Sequence, residues 1–279
     1  MKFSLGCALG YDVTAPTTLI LNVEVMRSAQ QTVLNESLTV VPFAPAEPYA
    51  GADGSNLYRR LLLQPGHVDI RYEAEVELSP SHEDPGPIEE TPIDRMPLEM
   101  MPWLYPSRYC QSDRLARFAW RQFGSLPTGH QRVTAICNWI NSEVDYLSGA
   151  STPSTSAYDT FSLRAGVCRD FAHLGITFCR ALGIPARFVS AYGWQLVPQD
   201  FHAVFEAYLG GKWYLFDATR MGPIDGIIRI GVGRDAADTA FSTCFGILNP
   251  AGMKVWVEAI DGNDTKRAWT TDAVSVAAE

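Results

Sequence analysis

The chain has 279 residues, 47% of them apolar and 19% charged, a composition that supports a sizeable buried core and excludes a disordered polymer. A net charge of −9 without any Lys/Arg cluster argues against nucleic acid or an anionic membrane as partner, and no stretch approaches the ~20 uninterrupted apolar residues of a membrane span. Six cysteines at irregular spacing suit a reducing compartment better than a disulfide scaffold, and residues 3–10, with two glycines and no convincing cleavage site, do not read as a signal peptide, so the expected setting is cytoplasmic.

In chain order, residues 2–9, 17–26, 37–41, 57–64 and 68–78 read as strands. The last alternates Val68, Ile70, Tyr72, Ala74, Val76 and Leu78, the pattern of a half-buried strand. Residues 1–96 are expected to form a small β-sandwich-like domain, closed by an acidic, Pro-rich connector over about 79–106. A boundary near Pro97 leaves 97–279 as a second domain. Helices are predicted over 113–123 and 130–146, the latter burying Val133, Ile136, Cys137, Ile140 and Val144, with Trp120 and Trp139 in the core. A third helix is expected over 170–182, stopped by Gly183 and Pro185, with Cys168 in its first turn after Gly166. Runs 202–209 and 212–219 flank Gly210-Gly211 as a hairpin. Strands at 227–232 and 253–260 are expected to complete the same sheet, and 261–279 is polar with a weak strand at 274–277.

Three residues on these elements suggest chemistry. A thiol at a helix start meets unpaired backbone N–H groups and the positive end of the helix dipole, which favour thiolate and could also hold an oxyanion. His202 opens the first hairpin strand and Asp217 closes the second, so both fall at one end of the hairpin within hydrogen-bonding reach. An Asp so placed can fix the imidazole tautomer and stabilise the imidazolium. Cys168, His202 and Asp217 therefore read as nucleophile, base and orienter. The ordinary alternatives are a buried small hydrophobe for Cys7, Cys110, Cys137, Cys179 and Cys244, a core role for His173, a dipole-balancing carboxylate for Asp170, surface or ion-pair roles for Arg169 and Arg187, and a turn residue for Asp217. No zinc spacing, dinucleotide fingerprint or phosphate-binding loop occurs, and no cofactor or metal is expected.

The motifs Gly-Val-Cys168-Arg-Asp-Phe-Ala-His-Leu, Arg180-Ala-Leu-Gly-Ile-Pro-Ala-Arg187, His202-Ala-Val-Phe-Glu206 and Trp213-Tyr-Leu-Phe-Asp-Ala-Thr219 resemble the core of the transglutaminase-like superfamily, in particular its bacterial cysteine protease branch. The wider resemblance runs from about Leu104 to Phe245, and the N-terminal part is similar to the β-domain that precedes this core. It implies an α+β, papain-like fold with a helix-borne Cys against an antiparallel sheet, and assigns the three catalytic roles to Cys168, His202 and Asp217. Val204 departs from the Trp that many members place after His-Ala, which bears on the shape of the acyl-donor pocket. The pattern also implies an oxyanion donor upstream of the Cys, in the segment 146–151 that begins with Tyr146, while Tyr192 and Trp194 are candidates to line the acyl-donor groove. The expected reaction is attack on a peptide or protein amide through a thioester. Whether water or an amine accepts the acyl group stays open, as do cross-linking, glycan- or cell-wall-directed amidase and non-catalytic scaffold readings.

Overall fold

The structure is a computed structural model that describes residues 1–51, 56–260, 262, 269–270 and 272–277. The N-terminal strands are β1 (Lys2–Val13), β2 (Thr17–Leu21), β3 (Gln31–Val41), β4 (Ala46–Ala50), β5 (Leu57–Leu63), β6 (Gly66–Leu78) and β7 (Ser81–Glu83). Strand β6 buries the alternating set anticipated from its sequence and pairs antiparallel with β1, whose Phe3, Leu5, Cys7, Leu9, Tyr11 and Val13 point into the same core. The connector that follows holds two short 3-10 turns, Ile93–Arg95 and Leu98–Trp103.

Next come α1 (Ser112–Phe123), α2 (His130–Glu143), β8 (Asp145–Tyr146), α3 (Ala157–Leu163), β9 (Ala165–Gly166) and α4 (Cys168–Ala181). Helix α1 buries Ser112, Leu115, Ala119 and Phe123, one stripe at helical spacing, and Trp120 lies off it, 55% exposed rather than in the core. Trp139 does pack inward, against Phe118, Phe123, Phe161 and Phe178. Helix α4 is buried on most sides. It lies against a four-stranded antiparallel sheet made of β10 (Ala186–Gly193), β11 (Phe201–Leu209), β12 (Lys212–Phe216) and β13 (Ile227–Gly233), in the order β12-β11-β10-β13. Contact between helix and sheet is close at Gly175, where an added Cβ would fall 2.5 Å from the Phe205 ring.

The chain ends with β14 (Ser242–Phe245), β15 (Leu248–Ala259) and β16 (Ala273–Ser275). Contrary to the expectation for 253–260, β15 does not extend the sheet under α4. It pairs with β1 in the sheet β15-β1-β6-β3, and β14 pairs with β2 in the sheet β14-β2-β5-β4. The alternation of Val255 and Val257 is real, but it serves the core under β1, opposite Cys7 and Leu5. One continuous core joins these N-terminal strands to the rear face of the α4 sheet through Val189, Tyr192, Val204, Ile228 and Ile230.

Candidate active site

The turn into α4 is set by its own side chains. Gly166 has no room for a Cβ, which would meet Asp170 Cβ at 2.7 Å. The buried Asp170 carboxylate accepts from Val167 N–H at 2.9 Å, and Arg169 donates to Asp170 (Nη2–Oδ1, 3.1 Å) and to the Thr152 carbonyl (2.7 Å). Asp170 thus caps the helix as well as balancing its dipole, and Val167, which has no side-chain acceptor, leaves Cys168 N–H without a side-chain cap from the N-cap position. Cys168 is partly exposed at the first helical position.

The hairpin brings His202 and Asp217 together as anticipated. His202 Nε2 lies 2.8 Å from Asp217 Oδ2, both side chains being 2% exposed. Asp217 Oδ1 accepts from Thr219 N–H (2.8 Å) and Thr219 Oγ1–H (2.7 Å), so the turn role and the orienting geometry coexist in one carboxylate. Asn141 Nδ2 donates to the Ala218 carbonyl at 2.9 Å and anchors this turn to α2. Cys168 lies close enough to the imidazole to act on its charge, and the two side chains border one cleft. Burial alone disfavours the His202 cation, but the Asp217 charge and hydrogen bond, with Cys168, outweigh it and raise its pKa to about 10. For Asp217, burial is likewise outweighed by His202 and Thr219, and its pKa is lowered.

Tyr146 reaches Cys168 by another route. Strand β8 pairs parallel with β9, with Tyr146 opposite Gly166, and the Tyr146 ring packs 5.8 Å from Phe171. Burial and then the charge of the neighbouring Cys168 sulfur raise the Tyr146 pKa, so it remains a neutral phenol. The other thiols differ. Burial pushes Cys7 up to about 11 and Cys110 up to about 12, and raises Cys137 and Cys179, whereas Cys244 is exposed rather than buried as expected.

A cleft of about 410 Å³ opens beside Cys168 and His202 and is lined by Tyr109, Phe188, Phe201, Ala203, Ile230 and Phe241, with Arg169, Ser190 and Thr239 as polar members. Tyr192 and Trp194 are not among its lining residues. Both are buried on the opposite side, where the Tyr192 hydroxyl donates to the Val23 carbonyl at 2.8 Å and Trp194 packs edge-on to Phe3 at 5.5 Å. Aromatic residues in a strand do not reveal which face they serve. Val204 also points into that rear core, so the departure from Trp leaves the cleft lining to Ala203. His173 is a core residue, stacked on Tyr109 at 5.1 Å and accepting from Ala236 N–H at 3.1 Å. Sequence reasoning missed Thr219, two residues after Asp217, for which a turn signal existed, Tyr109, which lies in the resembling stretch 106–109 but was given no role, and Phe241, for which no signal existed. Among the described residues no three His, Cys, Asp or Glu side chains gather as a metal site.

Two family models match the chain: the transglutaminase-like superfamily core over residues 117–218, and the N-terminal domain of bacterial transglutaminase over residues 1–97. A crystal structure of a "Putative Cysteine Protease" from Cytophaga hutchinsonii is 41% identical with a TM-score of 0.95, the match covering 99% of this chain and 97% of that one. The periplasmic domain of TgpA from Pseudomonas aeruginosa aligns at 19% identity and a TM-score of 0.41, over 77% of this chain and 76% of that one. An uncharacterized protein of Mycobacterium leprae is 32% identical over 146 residues, 49% of this chain and 52% of that protein, so the chain spans about half the length of that curated relative.

Proposed function

Because the chain belongs to the transglutaminase-like superfamily, with a bacterial transglutaminase N-terminal domain ahead of its core, we propose that it is a thiol-dependent amide hydrolase or acyl transferase acting on peptide or protein amides through Cys168, His202 and Asp217. The reading is carried by one arrangement: a buried imidazole, bonded to a carboxylate at 2.8 Å, that lines one cleft with a thiol at the start of a helix. A His202 raised to about 10 is cationic at neutral pH and so carries the proton that a leaving amine needs.

In the first step Cys168 Sγ forms a bond to the amide carbon and the carbonyl π pair moves to oxygen. Cys168 N–H and the neighbouring Tyr146 hydroxyl donate to the oxyanion. Collapse breaks the C–N bond, the leaving nitrogen takes the proton from His202, and a thioester remains. Water then attacks while His202 removes its proton, which releases the acid and restores the thiolate; an amine in the same position would give acyl transfer. Hydrolysis ranks first because the relative from Cytophaga hutchinsonii carries a protease description. A cleft with aliphatic and aromatic walls suits a peptide acyl group better than a sugar. A cytoplasmic setting would keep all six thiols reduced.

The test is iodoacetamide labelling followed by mass spectrometry from pH 5 to 9 in wild type, His202→Ala and Asp217→Asn, with exposed Cys244 as internal control. Cys168 is expected to label selectively near pH 6 and to lose that advantage in both variants. Labelling at the rate and pH of Cys244 in all three proteins would overturn the reading and favour a non-catalytic scaffold.

A further inference from the structure

One wall of the cleft is the segment 236–242, and two separate parts of the molecule hold it. Helix α4 fixes its beginning: Arg180 Nη2 donates to the Arg234 carbonyl at 2.6 Å and His173 Nε2 accepts from Ala236 N–H. The N-terminal sheets fix its end. The Tyr58 hydroxyl donates to the Asp238 carbonyl at 3.0 Å, Asn22 N–H donates to the Phe241 carbonyl at 2.9 Å, and Ser242 pairs with Leu21 of β2. Held through its own carbonyl, Phe241 stacks on Phe201, the neighbour of His202, with ring centroids 5.0 Å apart.

The chemistry of this wall is selective. Among the described residues lining the cleft there is no Asp, Glu or Lys, and the guanidinium of its one Arg, Arg169, is engaged by Asp170 and the Thr152 carbonyl. A carboxylate entering here would lose water and meet only cations that already hold a carboxylate, His202 with Asp217 and Arg169 with Asp170, whereas an aromatic or branched aliphatic side chain gains by burial. A volume of about 410 Å³ gives room for one bulky side chain and adjoining backbone.

Resting on the thiol-acyl reading above, we propose that this cleft is an acyl-donor subsite for a bulky apolar, preferably aromatic, side chain within two residues of the attacked carbonyl. The N-terminal sheets are then a specificity element: by holding Phe241 against Phe201 they set the width of the subsite, and Tyr58 is a positioning residue that acts through the Asp238 carbonyl.

The test compares rates of Cys168 alkylation by N-acetyl dipeptide chloromethyl ketones, in which Sγ displaces chloride to form a thioether. The reagents carry Phe at either position, Gly at both, or Glu in place of Phe. The better of the two Phe reagents should react about tenfold or more faster than the Gly reagent, and the Glu reagents should gain nothing. Phe241→Ala should remove most of the preference and Tyr58→Phe part of it, each rate being divided by the same variant's iodoacetamide rate at Cys168. Equal rates for Phe and Gly reagents, faster reaction with Glu, or a preference that survives both substitutions would overturn the proposal, and the wild-type comparison decides even if a variant fails to fold. A wild-type Cys168 inert to iodoacetamide would instead sink the thiol reading on which the proposal rests, so the two failures are distinguishable.

Discussion

Strand β11 carries two buried ionic clusters, one at His202 and one at Glu206. Glu206 is fully buried, and each carboxylate oxygen has a guanidinium: Oε2 accepts from Arg187 Nε at 2.6 Å and Oε1 from Arg229 Nη1 at 3.2 Å. Arg229 also donates to the Val276 carbonyl, and Arg187 lies over the Trp213 ring at 4.1 Å. Burial raises the Glu206 carboxyl, but the two cations outweigh it and its pKa is lowered. The other cluster obeys the same physics, with both Asp217 oxygens occupied. It differs in its setting: His202 lines a cleft together with a partly exposed thiol. Buried charge alone therefore does not mark a candidate site; a buried pair that borders a cleft beside a thiol does.

The largest expected effect separates the two clusters by activity. Asp217→Asn should lower kcat/KM for amide hydrolysis by about 10⁴-fold, because the imidazole loses its tautomer and its charge partner, while Glu206→Gln should leave the activity of folded protein within a few-fold. Comparable losses in both would erase the distinction. Next in size is stability. Glu206→Leu strands the buried Arg229 and the partly exposed Arg187 and should cost about 3–5 kcal/mol in urea unfolding, with the alkylation rate of Cys168 retained in the folded fraction; an unchanged midpoint would show that the cluster is dispensable. Smaller again, Tyr146→Phe should reduce kcat by roughly 10²-fold, the scale of one oxyanion donor, without moving the unfolding midpoint, and an unaltered kcat would remove Tyr146 from the mechanism.

The smallest effect is a pH window. His202 is raised from 6.5 to about 10 on folding, so its stabilisation is fully present below 6.5 and is lost as pH rises through about 10. The Tm gap between wild type and His202→Gln should be widest near pH 6 and close toward pH 10. Glu206 is lowered on folding, so its contribution is present above its ordinary value of 4.5 and is lost on the acid side. Two Tm differences that fade at opposite ends of the pH scale would sharpen the comparison; a His202 gap that stays constant from pH 6 to 10 would contradict it.

Much of this site was legible in the chain. Gly166 before Cys168, the apolar stretch of α4, and Gly210-Gly211 between two strand-like runs are local signals, and they anticipated a helix-borne thiol facing a His202–Asp217 hairpin mouth. Tyr146 was legible only by resemblance, and the structure sets it near Cys168 through the short β8–β9 pairing, not from a helix extending to 146. Tyr192 and Trp194 were misread because alternation separates the two faces of a strand without saying which face meets a cleft. The strand at 253–260 was recognised as a strand and assigned to the wrong sheet for a related reason.

By itself, then, the sequence determined what depends on near neighbours: element types, from periods of 3.6 and 2; the helix start at Cys168; and the hairpin that joins His202 to Asp217. Tertiary structure alone decided that β15 closes on β1, that Glu206 meets Arg229, and that Tyr109, Phe201 and Phe241 share one cleft with Cys168. Those contacts join residues far apart in the chain, and each depends on which apolar faces find one another when the sheets pack, a choice that no local pattern encodes.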